Sequence, residues 1–245
     1  MAMAWRLAEQ FLIWELGDPS FVDVSIDDLT DPDRNAALAE RIPMDSLLAI
    51  DPGAPPEGLE GNTTHLTVVD ADGMVVSMTN TLTNFWGSGQ YARGFFVNDQ
   101  LSRFAVGQGP ANQPEAGKRS VSWTLPTLII DGEGRPVLGL GTPGGRRIPT
   151  GLAQVLLRWA FQGEPLADAV EAPRFHIEGT ELQFEQLPPA EVADDLRRRG
   201  YTSLTVPTFP YYFGSIQALE IDYEGDQLLG ATDPRREADW RVDTP

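Results

Sequence analysis

The chain has 245 residues, 41% of them hydrophobic and 22% charged, enough apolar side chain to bury the core of one large domain. Its formal net charge of −18, from 36 Asp and Glu against 18 Lys and Arg, argues against partnership with nucleic acid or an anionic membrane surface. With no Cys and only two His, a disulfide framework, a thiol nucleophile and a thiolate metal site are excluded, and neither a histidine-based triad nor a zinc site is expected.

Trp5 to Leu12 predicts one amphipathic helix, and Glu9 and Glu15 interrupt the apolar run that a secretory signal needs, so no signal peptide is expected here. Nowhere does the chain offer about 20 consecutive apolar residues, so no membrane span is expected. Asp18-Pro19, Asp31-Pro32-Asp33 and Asp51-Pro52-Gly53-Ala54-Pro55-Pro56 then punctuate an acidic, Pro-rich linker that allows a short helix over Asn35 to Ile42. The acidic run Asp23 to Asp33 lacks the spacing and terminal Glu of a calcium loop and reads as solvated acid.

Leu66-Thr67-Val68-Val69 and Met74 to Thr81 predict two strands turning at Asp70-Ala71-Asp72-Gly73. A loop over residues 71 to 73 sets Asp70 against Met74 and Thr63 against Thr81, whereas a loop one residue shorter brings Asn80 to that place. Either way a polar group faces Thr63. A threonine hydroxyl is a weak nucleophile without a base beside it, and scission of Asn62-Thr63 would create one from the residue's own α-amino group. Such an amine has a pKa of about 7.7 to 8.0, so part of it is neutral near neutral pH and able to accept the hydroxyl proton. His65 reads as a packing or hydrogen-bonding residue.

The Gly-rich stretch Gly87 to Gly94, with Phe85, Trp86 and Tyr91, reads as a partial lid over an acyl pocket or as a plain connection between strands, the aromatics favouring the lid. A second hairpin is predicted to turn at Asp131-Gly132-Glu133-Gly134 into a buried strand, Pro136 to Leu140, and Leu152, Val155, Leu156 and Trp159 repeat at helical spacing within Ile148 to Phe161. Between strand and helix lies Gly141-Thr142-Pro143-Gly144-Gly145. The backbone N–H groups of Gly144 and Gly145, near a helix N-terminus, suit a developing oxyanion. The Gly-Lys-Ser/Thr ending of a P-loop is absent. Further on come a helix from Ala190 to Arg199 closed by Gly200, strands over Ser203 to Val206 and Ser215 to Asp222, and a last strand ending at Ala231.

Several short motifs stand in a telling order: Thr63-Thr64-His65, Val68-Val69-Asp70, Asp72-Gly73, Thr79-Asn80-Thr81-Leu82, Asn98-Asp99-Gln100, Lys118-Arg119, Ser122, Pro126-Thr127, Pro143-Gly144-Gly145, Ala172-Pro173-Arg174-Phe175-His176 and Asp233-Pro234-Arg235. In that order, across residues 63 to 236, the chain resembles the small subunit of the γ-glutamyltranspeptidase family of N-terminal-nucleophile hydrolases. Gly17-Asp18-Pro19 with Phe21-Val22 resembles the tail of the family's large subunit. The resemblance implies an α+β fold, the αββα sandwich of these hydrolases, incomplete because the first half of the family chain is absent. It divides the chain into residues 1–62, large-subunit tail and linker, and residues 63–245, a small-subunit-like catalytic domain.

The resemblance further implies acyl transfer from γ-glutamyl or related glutaryl amides, glutathione among them, to water or an amine, through a threonyl acyl-enzyme formed after self-cleavage at Asn62-Thr63. Thr63 would be the nucleophile, Thr81 its hydrogen-bonding partner, Gly144 and Gly145 the oxyanion hole. Gln100 and Ser122 would hold the α-carboxylate and α-amino ends of the substrate. A large-subunit polypeptide is the expected partner, no metal or organic cofactor is implied, and the family suggests a periplasmic or extracellular setting. Four positions depart from the family pattern. Thr83 replaces an asparagine, Arg103 an aspartate that pairs with the substrate ammonium, Trp123 the second serine of a pair, and Arg146 a small residue. A cation at position 103 would repel an ammonium, so Arg103 and Arg146 either favour a carboxylate-rich or ammonium-free acyl group, such as a glutaryl moiety or an internal unit of poly-γ-glutamate, or form surface or buried ion pairs with the plentiful Asp and Glu. The alternatives are an acylase for glutaryl or cephalosporin-type amides, and a catalytically silent fragment of the family.

Overall fold

The structure, a computed structural model, describes residues 1–48, 50, 63–104, 111–209 and 211–242, so Asn62 of the expected scission lies outside the described residues. Along the chain run helices α1 (Ala2–Trp14), α2 (Ile26–Thr30) and α3 (Pro32–Glu40), then strands β1 (Thr63–Val69), β2 (Val75–Thr81), β3 (Tyr91–Ala92) and β4 (Phe95–Phe96). Strands β5 (Thr127–Ile130) and β6 (Pro136–Gly141) lead to helices α4 (Arg147–Leu156) and α5 (Leu166–Glu171). Strands β7 (Phe175–Glu178) and β8 (Glu181–Phe184), helix α6 (Ala190–Arg198), and strands β9 (Ser203–Thr205), β10 (Gln217–Asp222) and β11 (Gln227–Thr232) follow. The fold is mixed α and β, and the chain divides into two compact units, one of residues 1–59, 100–122 and 176–206 and one of residues 60–99, 123–175 and 207–245.

In the first unit the acidic run serves helix ends. Ser25 Oγ accepts the Asp28 N–H at 3.3 Å and an Asp31 carboxylate oxygen accepts the Arg34 N–H at 2.6 Å, with Pro32 opening α3, so these residues cap α2 and α3. Helix α1 buries Met3, Trp5 and Leu7, while Arg6 on the same helix donates to the carbonyls of Leu48 and Ile50 at 2.8 Å each. Asp18 takes the side chain and backbone N–H of Arg119 together with the Ser20 N–H, and these donors hold its carboxyl well below the usual carboxylate range. A small sheet of order β7-β8-β9 completes the unit, its parallel pair β8 and β9 joined through α6, as a parallel pair requires. Arg197, Arg198 and Arg199 sit in or after the last turn of α6, where the dipole reading puts them, and also pair with Asp194 and Asp195 one turn back.

The second unit is layered. Its centre is a four-stranded sheet of order β11-β10-β6-β5. The alternation of β6 explains what lies on each face: Leu138 and Leu140, fully buried, pack with Ile148, Leu152 and Val155 of α4 and with Leu166, Ala169 and Val170 of α5. Gly139 and Gly141 point the other way, toward the β1–β2 hairpin. A Cβ on Gly139 would lie 2.5 Å from Thr67 Cγ2, and one on Gly141 would lie 2.3 Å from the His65 ring. Bare backbone is therefore what lets the hairpin come down onto the sheet.

That hairpin has the three-residue loop. Thr63 faces Thr81 and Val69 faces Val75, which leaves Ala71 to Gly73 as the loop and rules out the shorter turn that would have brought Asn80 to Thr63. An Asp70 carboxylate oxygen accepts the N–H groups of Asp72 and Met74 at 2.9 Å each, and Gly73 takes a φ of +82°, which closes the turn. The face toward the sheet carries Thr63, His65, Thr67, Ser77, Thr79 and Thr81. The opposite face carries Leu66, Val68, Val76 and Met78, all exposed.

The stretch read as a lid folds as a short hairpin of β3 and β4. Its aromatic rings pack on one another, Trp86 and Tyr91 lying 4.9 and 5.2 Å from Phe96, while Phe85, Trp86, Tyr91 and Phe95 keep most of their surface exposed.

Candidate active site

Thr63 opens β1, and the register brings its side chain beside that of Thr81, with Oγ1 to Oγ1 at 3.0 Å. Thr81 Oγ1 also accepts the backbone N–H of Thr83 at 2.9 Å. Thr83 is buried with a φ of +76°, an uncommon backbone for a β-branched residue, and this turn is what aims its N–H back at Thr81. Two neighbours thereby fix the rotamer of Thr81, and Thr81 fixes the hydroxyl of Thr63. At position 83, where an asparagine side chain was the expected substrate contact, the chain contributes a backbone donor to this network.

His65, two residues along the same face, is 6% exposed. Its Nδ1 lies 2.8 Å from Thr79 Oγ1 and its Nε2 3.2 Å from Thr67 Oγ1. Burial pushes its pKa down to about 4, so at neutral pH the ring is uncharged and packs between hydroxyls under Gly141.

Thr63 also lines a cavity of about 420 Å³ with Pro143, Ser215, Gln217, Thr232 and Arg236 among its walls. Directly after Pro143 come Gly144 and Gly145, with φ of +139° and +58°, leading into α4. Their carbonyls accept the N–H groups of Arg147 and Ile148. Among the described residues, their own N–H groups donate to no backbone carbonyl.

The departures at 123 and 146 belong together. The Arg146 guanidinium sits over the Trp123 ring, 5.7 Å from its centroid, so the bulky residue at one position supports the cation at the other. In the first unit, the side-chain N–H groups of Gln100 donate to Ser120 Oγ and to the Val121 carbonyl, both at 3.0 Å. Arg103, in the short 3-10 turn Gln100–Arg103, offers its carbonyl to Asn112 at 2.8 Å, and Ser122 follows this segment in the same unit. Among the described residues no group of three or more His, Asp or Glu is placed to hold a metal ion.

One residue escaped the sequence reading. Arg236 Nη1 donates to the Thr63 carbonyl at 3.4 Å, and burial lowers the pKa of its guanidinium. Arg236 immediately follows the Asp233-Pro234-Arg235 motif, whose order has a structural cause. Buried Asp233 accepts Arg174 at 2.6 Å, Arg235 at 3.0 Å and the Ile216 N–H at 2.8 Å, and so ties the last segment to the sheet beside Thr63.

The family profile described as Gamma-glutamyltranspeptidase matches residues 2–241. The chain is 35% identical over 237 residues to the capsule biosynthesis protein CapD proenzyme of Bacillus anthracis, covering 96% of this chain and 42% of that one. It is similar to the solved gamma-glutamyltranspeptidase from Pseudomonas nitroreducens complexed with L-DON, with a TM-score of 0.66 and 35% identity over 74% of this chain and 100% of that one. It is also similar to the cephalosporin acylase from Bacillus halodurans, with a TM-score of 0.84 and 25% identity over 99% of this chain and 44% of that one. The chain thus spans less than half the length of these longer relatives. With a profile match from residue 2 to residue 241, this chain belongs to the gamma-glutamyltranspeptidase family.

Proposed function

We propose that the chain carries the catalytic part of an N-terminal-threonine acyltransferase or hydrolase acting on γ-glutamyl or related glutaryl amides. The observation that carries this reading is the 3.0 Å contact between the Thr63 and Thr81 hydroxyls, made at the edge of a cavity shared with the Pro143 turn. In the first step Thr63 Oγ attacks the carbonyl carbon of Asn62, the peptide C–N bond breaks to free the α-amine and leave an ester on Oγ, and water then hydrolyses that ester to the Asn62 carboxylate and the Thr63 hydroxyl. In turnover, Thr63 Oγ attacks the substrate amide while its proton passes to that amine. The N–H groups of Gly144 and Gly145 hold the oxyanion, a contribution of roughly 2.7 to 4 kcal/mol per donor in such sites. Collapse expels the leaving amine with the proton and leaves an ester on Thr63, which water or a second amine resolves to acid or new amide.

In this reading residues 1–62 are the large-subunit tail and linker, residues 63–245 the small-subunit part, and a large-subunit polypeptide completes an αββα sandwich over the exposed outer face of β1 and β2. Gln100 and Ser122 contact the substrate's α-substituents, and the setting is periplasmic or extracellular. Intact-mass measurement tests the core of it. Two fragments dividing at Asn62-Thr63, absent from Thr63→Ala, are expected; an undivided chain, alone or with a large-subunit polypeptide, supports a catalytically silent member instead.

The likeness to cephalosporin acylase over nearly the whole chain, together with Arg146 stacked on Trp123, favours a second reading, an acylase for glutaryl or cephalosporin-type amides. Faster turnover of a glutaryl than of a γ-glutamyl anilide selects it. Equal turnover of the two after Arg103→Asp would show that position 103 does not choose the acyl group.

A further inference from the structure

In the acyl-transfer reading the Gly144 N–H serves only while the peptide plane between Pro143 and Gly144 keeps one orientation, and a glycine offers little resistance to its rotation. Among the described residues every peptide bond is trans. In a trans peptide the C=O and the N–H point to opposite sides of the chain, so whatever grips the Pro143 carbonyl also sets the direction of the Gly144 N–H.

Thr142 supplies that grip. It is 2% exposed, and its Oγ1 donates to the Pro143 carbonyl at 2.7 Å while accepting the Ser215 N–H at 3.0 Å. The single proton of the hydroxyl is thereby committed to the carbonyl, and a lone pair to the amide. Gly214 crowds the same carbonyl. A Cβ there would lie 2.2 Å from the Pro143 oxygen and 2.7 Å from Thr142 Oγ1, and its φ of +74° favours glycine in any case.

The segment that carries Gly214 is itself braced. Arg174 donates to the Phe213 carbonyl at 3.1 Å and pairs with Asp233, Asp233 accepts the Ile216 N–H at 2.8 Å, and Gln217 donates to Ser215 Oγ at 2.8 Å. All of these residues belong to the second unit. The next N–H needs no such device: the Gly144 carbonyl accepts the Arg147 N–H at 3.2 Å, so the start of α4 orients the Gly144–Gly145 peptide.

We propose that Thr142 is a positioning residue, whose hydroxyl, held by Ser215 and backed by Gly214, fixes the plane of the Pro143–Gly144 peptide and with it the aim of the Gly144 N–H at the developing oxyanion. The catalytic consequence rests on the acyl-transfer reading; the clamp on the peptide does not.

Two readouts separate them. Pro-Gly occurs in the sequence at Pro52-Gly53 and Pro143-Gly144, so proline labelled with carbon-13 at its carbonyl and glycine labelled with nitrogen-15 isolate these amides by NMR, and Pro52→Ala removes the first. In the aligned full chain the N–H dipolar coupling of Gly144, referred to the amides of β10 and β11, is expected to fit the orientation in the structure. It is expected to change in Thr142→Val and to stay close to wild type in Thr142→Ser. Kinetics with γ-glutamyl and glutaryl anilides, normalised to the folded and divided fraction, give the second readout. In Thr142→Val kcat is expected to fall by about 10- to 100-fold with KM unchanged, short of the roughly 100- to 1000-fold of deleting such a donor outright, because the contact is made only in the transition state. Thr142→Ser restores most of kcat.

A Gly144 coupling that is unchanged in Thr142→Val, or a changed coupling with kcat within about threefold of wild type, overturns the proposal. Where circular dichroism shows that Thr142→Val does not fold, Gly214→Ala replaces it, since its methyl displaces the same carbonyl. A wild-type coupling that does not fit the orientation in the structure overturns the clamp without any variant. A wild-type chain that neither divides nor turns over either anilide loses the acyl-transfer reading, and the coupling alone then decides the clamp. A wild-type chain that divides and turns over, with Thr142→Val indistinguishable from it, keeps that reading and loses the clamp.

Discussion

Thr63 and Thr81 meet hydroxyl to hydroxyl across one antiparallel pair, and Thr81 is itself held by the N–H of Thr83. Replacing Thr81 by Val keeps its shape and β-branching and removes only the oxygen. The expected result is division of the chain at Thr63 slowed by about 10- to 100-fold, the effect of losing one hydrogen bond of about 1 to 3 kcal/mol at the reacting group, with the fold intact. Thr81→Ser restores most of the rate. A mass-spectrometric time course reads the outcome, and an unchanged rate in Thr81→Val removes Thr81 from the chemistry.

His65 makes the hairpin sensitive to acid. Its pKa is lowered from 6.5 to about 4 by burial, so the unfolded chain binds a proton that the folded chain refuses. Its contribution is complete above pH 6.5 and is lost as pH falls from there toward about 4, by up to about 3 kcal/mol. Urea midpoints for wild type and His65→Gln at several pH values between these limits cancel the carboxylates common to both. The wild-type midpoint is expected to fall faster; parallel curves would mean that the ring is protonated in the fold.

Gly141→Ala tests the close approach of hairpin and sheet. The new methyl would stand 2.3 Å from a histidine ring already bound on both nitrogens, so the ring or the strand must move. A loss of about 1 to 3 kcal/mol is expected, as for other overpacked cores. Gly132→Ala, whose Cβ meets nothing within 4 Å, is the control and stays within about 0.5 kcal/mol. Equal melting temperatures for the two variants would contradict the packing described.

Asp233 answers two arginines and a backbone amide from a fully buried position. Asp233→Asn leaves Arg174 and Arg235 without a countercharge, and breaking a buried pair in this way costs about 3 to 5 kcal/mol. Chemical denaturation should show that loss; a midpoint close to wild type would mean that the node is ornamental to stability.

Much of the second unit was legible because its signals are local. The hairpin register had two discrete solutions, set by the loop after Asp70, and each made a different residue face Thr63. The buried strand Pro136 to Leu140 and the helix that follows announced themselves through apolar periodicity, although the helix ends in a π-helical turn, Leu157–Phe161, that no spacing foretold. The β7–β8 strands were missed because four residues apiece leave too short an alternation to read, and β3–β4 because two residues apiece leave none. Arg236 was missed for a different reason: its contact with Thr63 spans 173 positions, and neither periodicity nor turn chemistry encodes such a meeting. The stacking of Arg146 on Trp123 is likewise tertiary, so two isolated departures in sequence became one feature in space.

The loop from Ala71 to Gly73 stands about 23 Å from Thr63, seven strand residues at about 3.3 Å each. Inserting one residue into it, with the three-residue turn kept, would slide β2 by one place and turn its faces over, so that Val76 and Met78 point at the sheet and Asn80 stands beside Thr63. Such an indel at the hairpin tip equals a double lesion, a carboxamide in place of the Thr81 hydroxyl and thioether in place of the Thr79 partner of His65, although every residue of the site is still encoded. This tip can therefore drift by substitution but not gain a residue.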